Sequence, residues 1–145
     1  MPAEIVIGDK KELNLPSLLE SVDQAASEAE VFARNNGFDD EALSAIDMAM
    51  REAVANAVKH GNKLDATKRV EIQFNNLEKG LEITVRDFGA GFAVADVPDP
   101  TNPENLMKAN GRGILFMRAF MEEVEWLNHE KGGMVVKMCK LRVAK

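Results

Sequence analysis

Two runs of strict alternation set the terms for any fold this chain can adopt. Val70, Ile72 and Phe74 stand at every second position, as do Leu81, Ile83 and Val85, with Asn75–Gly80 between them as a turn. Period-two alternation puts each apolar set on one face of a strand, so the segment predicts a β-hairpin with one apolar side. Such a side is stable only when another layer covers it. The preceding sequence supplies that layer. Leu18, Val22, Ala25, Ala29 and Phe32 recur at three- and four-residue steps, and Ile46, Ala49, Met50, Ala53, Ala57 and Val58 give a second, broader stripe. Both patterns predict amphipathic helices.

The element boundaries are also marked. Ser17-Leu18-Leu19-Glu20 follows Pro16 and reads as a capping box, with Gly37 placed to end the helix it opens. Asp39, Asp40 and Glu41 put negative charge where the second helix starts, which its dipole favours, and Gly61 ends that helix. Ile5–Ile7 predicts a first strand that Leu13–Leu15 extends or follows. After the hairpin, Phe88–Gly113 holds four of the ten glycines and three of the five prolines without any periodicity. A connection this long is a functional lid or a disordered segment. A helix is expected from near Gly113 to about Met121, then strands at Val124–Leu127 and Met134–Leu141 about a turn at Lys131-Gly132-Gly133. The order predicts an α+β fold, a two-layer sandwich of helices on a mostly antiparallel sheet. No internal repeat or low-complexity tract interrupts it.

Composition narrows the function classes. The formal charge of −6 argues against direct nucleic acid binding, which needs a basic face. No apolar run approaches the roughly 20 residues of a membrane helix, and Met1–Lys10 has no continuous apolar core of an export signal. Cys139 is the single cysteine, so no internal disulfide forms, and its apolar neighbours predict a buried, inert thiol. A cytoplasmic location is expected. The eight methionines are expected mostly in the core.

Three short segments carry the chemistry. Glu52-Ala53-Val54-Ala55-Asn56 puts a carboxylate and an amide on one helix face, about 6 Å apart along the axis, and His60 continues the row. A solvated helix face explains the same pattern. Asp87-Phe88-Gly89-Ala90-Gly91 sits where a strand ends; the carboxylate can accept from an exocyclic amine, and the glycines admit a flat ring. A tight turn explains it equally. Gly111-Arg112-Gly113 opens a helix, where free amides and a guanidinium make an anion site, or a hinge. Neither a dinucleotide fingerprint nor a P-loop is present; Val94 stands where the third glycine of the former would fall.

Together these segments resemble the GHKL superfamily of ATPases, which includes gyrase, Hsp90, histidine kinases and mismatch-repair ATPases, from about Leu13 to Leu141. Glu52 to Asn56 matches the N box, Asp87 to Gly91 the first glycine box and Gly111 to Gly113 the second. Glu52–Gly61 and Gly111-Arg112-Gly113-Ile114 are most similar to the anti-sigma factor serine/threonine kinases. The resemblance implies a Bergerat ATP-binding fold spanning residues 1–145 as one domain, with a mobile lid at about 88–113. It implies ATP and Mg2+ as cofactors: Asn56 as metal ligand, Glu52 as the catalytic residue that orients or deprotonates the attacking hydroxyl, and Asp87 on the adenine amino group. Gly89 and Gly91 would give the ring room, Gly111, Arg112 and Gly113 would hold the phosphates, and His60 would join the ATP-binding set. The implied partners are a STAS-type anti-sigma factor antagonist, a sigma factor and a second copy of the chain. The alternative is a nucleotide-responsive binding module with little or no catalysis. One departure stands out: many relatives have a threonine at the start of the final strand, where this chain has Gly132, Gly133 and Met134.

Overall fold

A computed structural model describes residues 6–89 and 113–142. In chain order the elements are β1 (Val6–Pro16), α1 (Glu20–Asn35), α2 (Asp40–Asn56), a π-helical turn (Ala57–Gly61), β2 (Arg69–Leu77), β3 (Gly80–Arg86), α3 (Gly113–Phe120), β4 (Glu123–Asn128) and β5 (Met134–Leu141). The five strands form one antiparallel sheet in the order β1-β2-β3-β5-β4. The α+β architecture is therefore as the alternation required.

Register shows how the alternation becomes a core. Leu15 pairs with Val70, Ile72 with Val85, Phe74 with Ile83, Ile83 with Met138 and Val85 with Val136. All of these side chains are buried on one sheet face, beneath Ala25, Ala29, Phe32, Ile46, Ala49, Met50 and Ala53 of the helices. Phe32 of α1 stacks on Phe74 with ring centroids 5.4 Å apart. The small residues of α1 and α2 let the two helices lie close to each other and to the sheet. Met117 and Met121 bring α3 and the residue after it into the same core, against α2. Among the described residues the methionines at 50, 117, 121, 134 and 138 are buried, and Met48 is exposed.

The opposite sheet face carries Glu71, Gln73, Asn75, Glu82, Thr84, Arg86 and Lys137, and no described element lies over it. Arg86 meets Glu71 at 3.4 Å and Lys137 meets Glu82 at 3.6 Å. Half-exposed pairs of this kind add at most about 1 kcal/mol each, so they solvate the face more than they hold it.

Several boundaries differ from the sequence expectation. The residues expected as one or two first strands form a single β1, with a register irregularity between Val6 and Lys10. The hairpin turn is shorter than Asn75–Gly80, because β2 continues to Leu77 and β3 begins at Gly80. The capping box at Ser17 does not form: α1 starts at Glu20, and its preceding residue, Leu19, makes no side-chain cap. Ser17 is buried instead, its hydroxyl accepting from the Asn62 amide, while Ser21 donates to the Pro16 carbonyl at 2.7 Å. The second helix starts where its acidic run was expected to lie, and Asp39 also caps it, accepting from the Ala42 amide at 2.9 Å. Gly37 follows α1 with φ +91°, a left-handed value that glycine adopts without steric cost. No described helix is long and apolar enough to cross a membrane.

Candidate functional site

Helix α2 keeps its apolar stripe on the core and turns Glu52 and Asn56 to its half-buried side. Glu52 makes no hydrogen bond among the described residues. Asn56 Nδ2 is buried and has no hydrogen-bond partner among the described residues. An unpaired buried amide costs free energy, so this position fits a missing polar ligand rather than a finished core contact. The assignment of O and N in the amide follows from its partners, and a metal or phosphate group would set it.

Beyond Asn56 the helix widens. The Asn62 amide donates to the Ala57 carbonyl at 2.8 Å, a five-residue step in place of four. Lys63 and Leu64 then take left-handed backbone angles, φ 53° and 62°, which are uncommon for residues with a Cβ. This turn breaks the straight Glu52–Asn56–His60 row. His60 is exposed and bonds to none of the other candidates among the described residues. What the turn delivers instead is Gly61, pressed against Asp87: a Cβ on Gly61 would stand 2.0 Å from Asp87 Oδ2.

Asp87 is the centre of the arrangement. It follows the last residue of β3, is only 6% exposed, and its amide donates to the Met134 carbonyl at 3.0 Å. Its Oδ1 accepts from the Gly89 amide at 3.0 Å and the Met134 amide at 3.1 Å. Oδ2 accepts no hydrogen bond among the described residues. Burial pushes the carboxyl above its ordinary value, opposed by those two amide bonds and by the charges of Lys68 and Arg86. Backbone approaches on three sides at glycines. A Cβ on Gly89 would meet the Gly61 carbonyl at 1.8 Å, and one on Gly133 the Asp87 carbonyl at 2.0 Å. Gly61, Gly89 and Gly133 are thus required by close approach, whatever their part in turns. Phe88 is held twice, its amide donating to Asn62 Oδ1 at 2.8 Å and its ring lying 4.1 Å beneath the Arg86 guanidinium.

Of the residues singled out in sequence, Asp87 and Gly89 meet at this end of the sheet, Glu52 and Asn56 lie on α2, which leads through the π-helical turn to Gly61, and Gly113 begins α3. Gly91, Gly111, Arg112 and nearly all of the expected lid lie outside the described residues. Sequence reasoning missed Asn62 and understated Gly61 and Gly133. An asparagine directly after a helix-ending glycine was the available signal, but its distant partners were not.

The described residues thus place a buried acceptor, walled by glycines, at a strand end of a helix-covered antiparallel sheet. The histidine kinase-like ATPase domain family matches residues 15–140, and the chain belongs to that family. Within it the chain is similar to the serine-protein kinase RsbW of Listeria innocua, 28% identical over 88% of this chain and 85% of that one. It is also similar to the anti-sigma F factor of Bacillus thuringiensis, 34% identical over 69% of this chain and 70% of that one. Solved structures agree on the fold. A crystal structure of the RsbU and RsbW domains of a Mycobacterium tuberculosis protein superposes with TM-score 0.66 at 16% identity, over 95% of this chain and 34% of that one. The catalytic domain of the histidine kinase ThkA gives TM-score 0.53 at 15% identity, over 92% and 98% of the two chains.

Proposed function

We propose that this protein is an anti-sigma factor that uses ATP to phosphorylate a serine or threonine of a STAS-type antagonist, and so switches between that antagonist and a sigma factor. The observation that carries the reading is the Asp87 carboxylate, buried among three glycine backbones with Oδ2 left over for a donor. An adenine amino group is such a donor, and the missing Cβ atoms let the backbone close tightly around the carboxylate that would receive it. The names of the similar proteins, a serine-protein kinase and an anti-sigma F factor, support a protein substrate and a sigma factor as partners.

In this reading the whole of residues 1–145 is one ATPase domain, cytoplasmic and homodimeric, with 88–113 as its lid. The residues present fit Mg-ATP. Asn56, with its unsatisfied buried amide, would ligate the metal, and Gly111, Arg112 and Gly113 would hold phosphate oxygens. His60 and Gly91 complete the proposed ATP-binding set. Bound Mg2+ supplies charge neutralisation where the phosphoryl group is transferred. The protein's own part is positioning. Asp87 orients the base, and Glu52, one turn before Asn56 and without a bond of its own, takes the proton of the attacking hydroxyl.

The test is phosphotransfer from labelled ATP to a purified STAS antagonist. Glu52→Ala is expected to lower transfer at least about 100-fold, as loss of a general base does, with ATP affinity kept within about twofold. Mg-dependent ATP binding by the wild type with no transfer would instead establish a nucleotide-responsive module without catalysis.

A further inference from the structure

Among the described residues five polar side chains are buried: Ser17, Ser21, Asn62, Asn76 and Asp87. Two of them, Ser17 and Asn62, lie along a single line of hydrogen bonds that ends at the Phe88 amide, directly after Asp87. Asn62 is 1% exposed, and its amide reaches three separate parts of the chain. Nδ2 donates to Ser17 Oγ at the β1–α1 junction and to the Arg69 carbonyl at the start of β2, each at 3.0 Å. Oδ1 accepts from the Phe88 amide at 2.8 Å. With two acceptors on one side and an N–H donor on the other, only one orientation of the amide satisfies all three.

The Phe88 bond is the informative one. It fixes the peptide plane that follows Asp87, while the plane before Asp87 is fixed by its amide bond to the Met134 carbonyl. With both flanking peptides held, the carboxylate leaves the backbone in one direction, Oδ1 toward the Gly89 and Met134 amides and Oδ2 toward Gly61. Asn62 itself is put there by the π-helical turn and by the left-handed Lys63–Leu64 pair that follows, a costly backbone at two exposed residues.

We propose that Asn62 is a positioning residue for base recognition: by holding the Phe88 amide it aims Asp87 Oδ2 at the exocyclic amine of the nucleotide. The inference rests on Asp87 as the adenine acceptor.

The experiment compares the affinities of ATP and purine riboside triphosphate, which lacks the 6-amino group, both with Mg2+ and the full chain, alongside thermal unfolding. The wild type is expected to prefer ATP by roughly tenfold or more, as a hydrogen bond to a charged acceptor gives. Asn62→Ala is expected to bring that preference below about twofold while the protein stays folded at the assay temperature. Ser17→Ala removes only the remote end of the line; it is expected to lower the melting temperature and leave the preference intact. Should Asn62→Ala not fold, Asn62→Ser carries the same test, because its side chain is too short to reach the Phe88 amide. A folded position-62 variant with the wild-type preference overturns the proposal, as does Ser17→Ala losing the preference in step with its stability. A wild type that binds both nucleotides equally refutes Asp87 as the base acceptor, which is a separate failure.

Discussion

Asp87 shows a single residue giving up stability for recognition. Its folded carboxyl titrates above the ordinary value of 3.8 because burial disfavours its charge more than two amide bonds favour it. The native state then holds a proton where the unfolded chain has lost it, so this group's contribution is fully present below the unfolded value and is lost as pH rises through the raised folded value. At neutral pH the ionised carboxylate is a net cost. Asp87→Asn keeps an oxygen for the Gly89 and Met134 amides and removes the charge. It is expected to melt higher than the wild type at pH 7, with the gain shrinking as pH falls toward 4, and to lose its preference for ATP; circular dichroism melts and calorimetry check the two halves. Cys139 illustrates the opposite, a residue whose chemistry is closed off: burial and the surrounding carboxylates push its thiol up to about 11. Its inertness was legible from its apolar neighbours. The strain at Asp87 was not, because it depends on Gly61 and Met134, far away in sequence.

At the scale of elements, what could be read in advance was whatever a local pattern decides. The acidic start of α2 at Asp40, the Gly37 stop and the alternation of β2 and β3 each need only neighbouring residues, and each appears where expected. The capping box failed for the complementary reason. Ser17 and Glu20 have the right spacing, but the Asn62 amide competes for the Ser17 hydroxyl across 45 residues and wins by burying both groups. The π-helical turn was equally invisible, since its cause is the close packing of Gly61 on Asp87 rather than any propensity of Ala57–Gly61. The left-handed pair after it bears the strain. Lys63→Gly removes a Cβ from a φ of 53° on an exposed residue and is expected to stabilise the protein by roughly 0.5–1 kcal/mol, net of the freedom glycine gains in the unfolded chain. A higher denaturant midpoint with an unchanged slope would show it.

At the scale of the whole molecule, the described residues form a sheet clad on one side, with Asp87, Gly89 and Gly133 gathered at one end of the central strands. Ligand energy therefore enters the fold where β3, β5 and the end of the α2 segment meet. Mg-ATP at about 100 times its dissociation constant is expected to add about 2.7 kcal/mol, a rise of roughly 5–10 °C in melting temperature for a domain of this size. Asn56→Ala is expected to abolish the rise, and scanning calorimetry measures both. The overall architecture was legible because binary patterning specifies layers; the convergence of Gly61, Asn62, Asp87 and Gly133 was not, because it arises only once the layers are stacked. Met134 opens β5 and also gives its amide to Asp87, so strand alignment and ligand recognition share one contact. A one-residue slip of β5 would turn Val136 and Met138 away from the core and take the Met134 amide from the carboxylate. Such a misaligned copy would be blind to ATP. Under the proposed function, any circuit that reads the nucleotide-bound form would count only correctly assembled molecules, and the nucleotide would serve as an inspection of folding as well as a fuel.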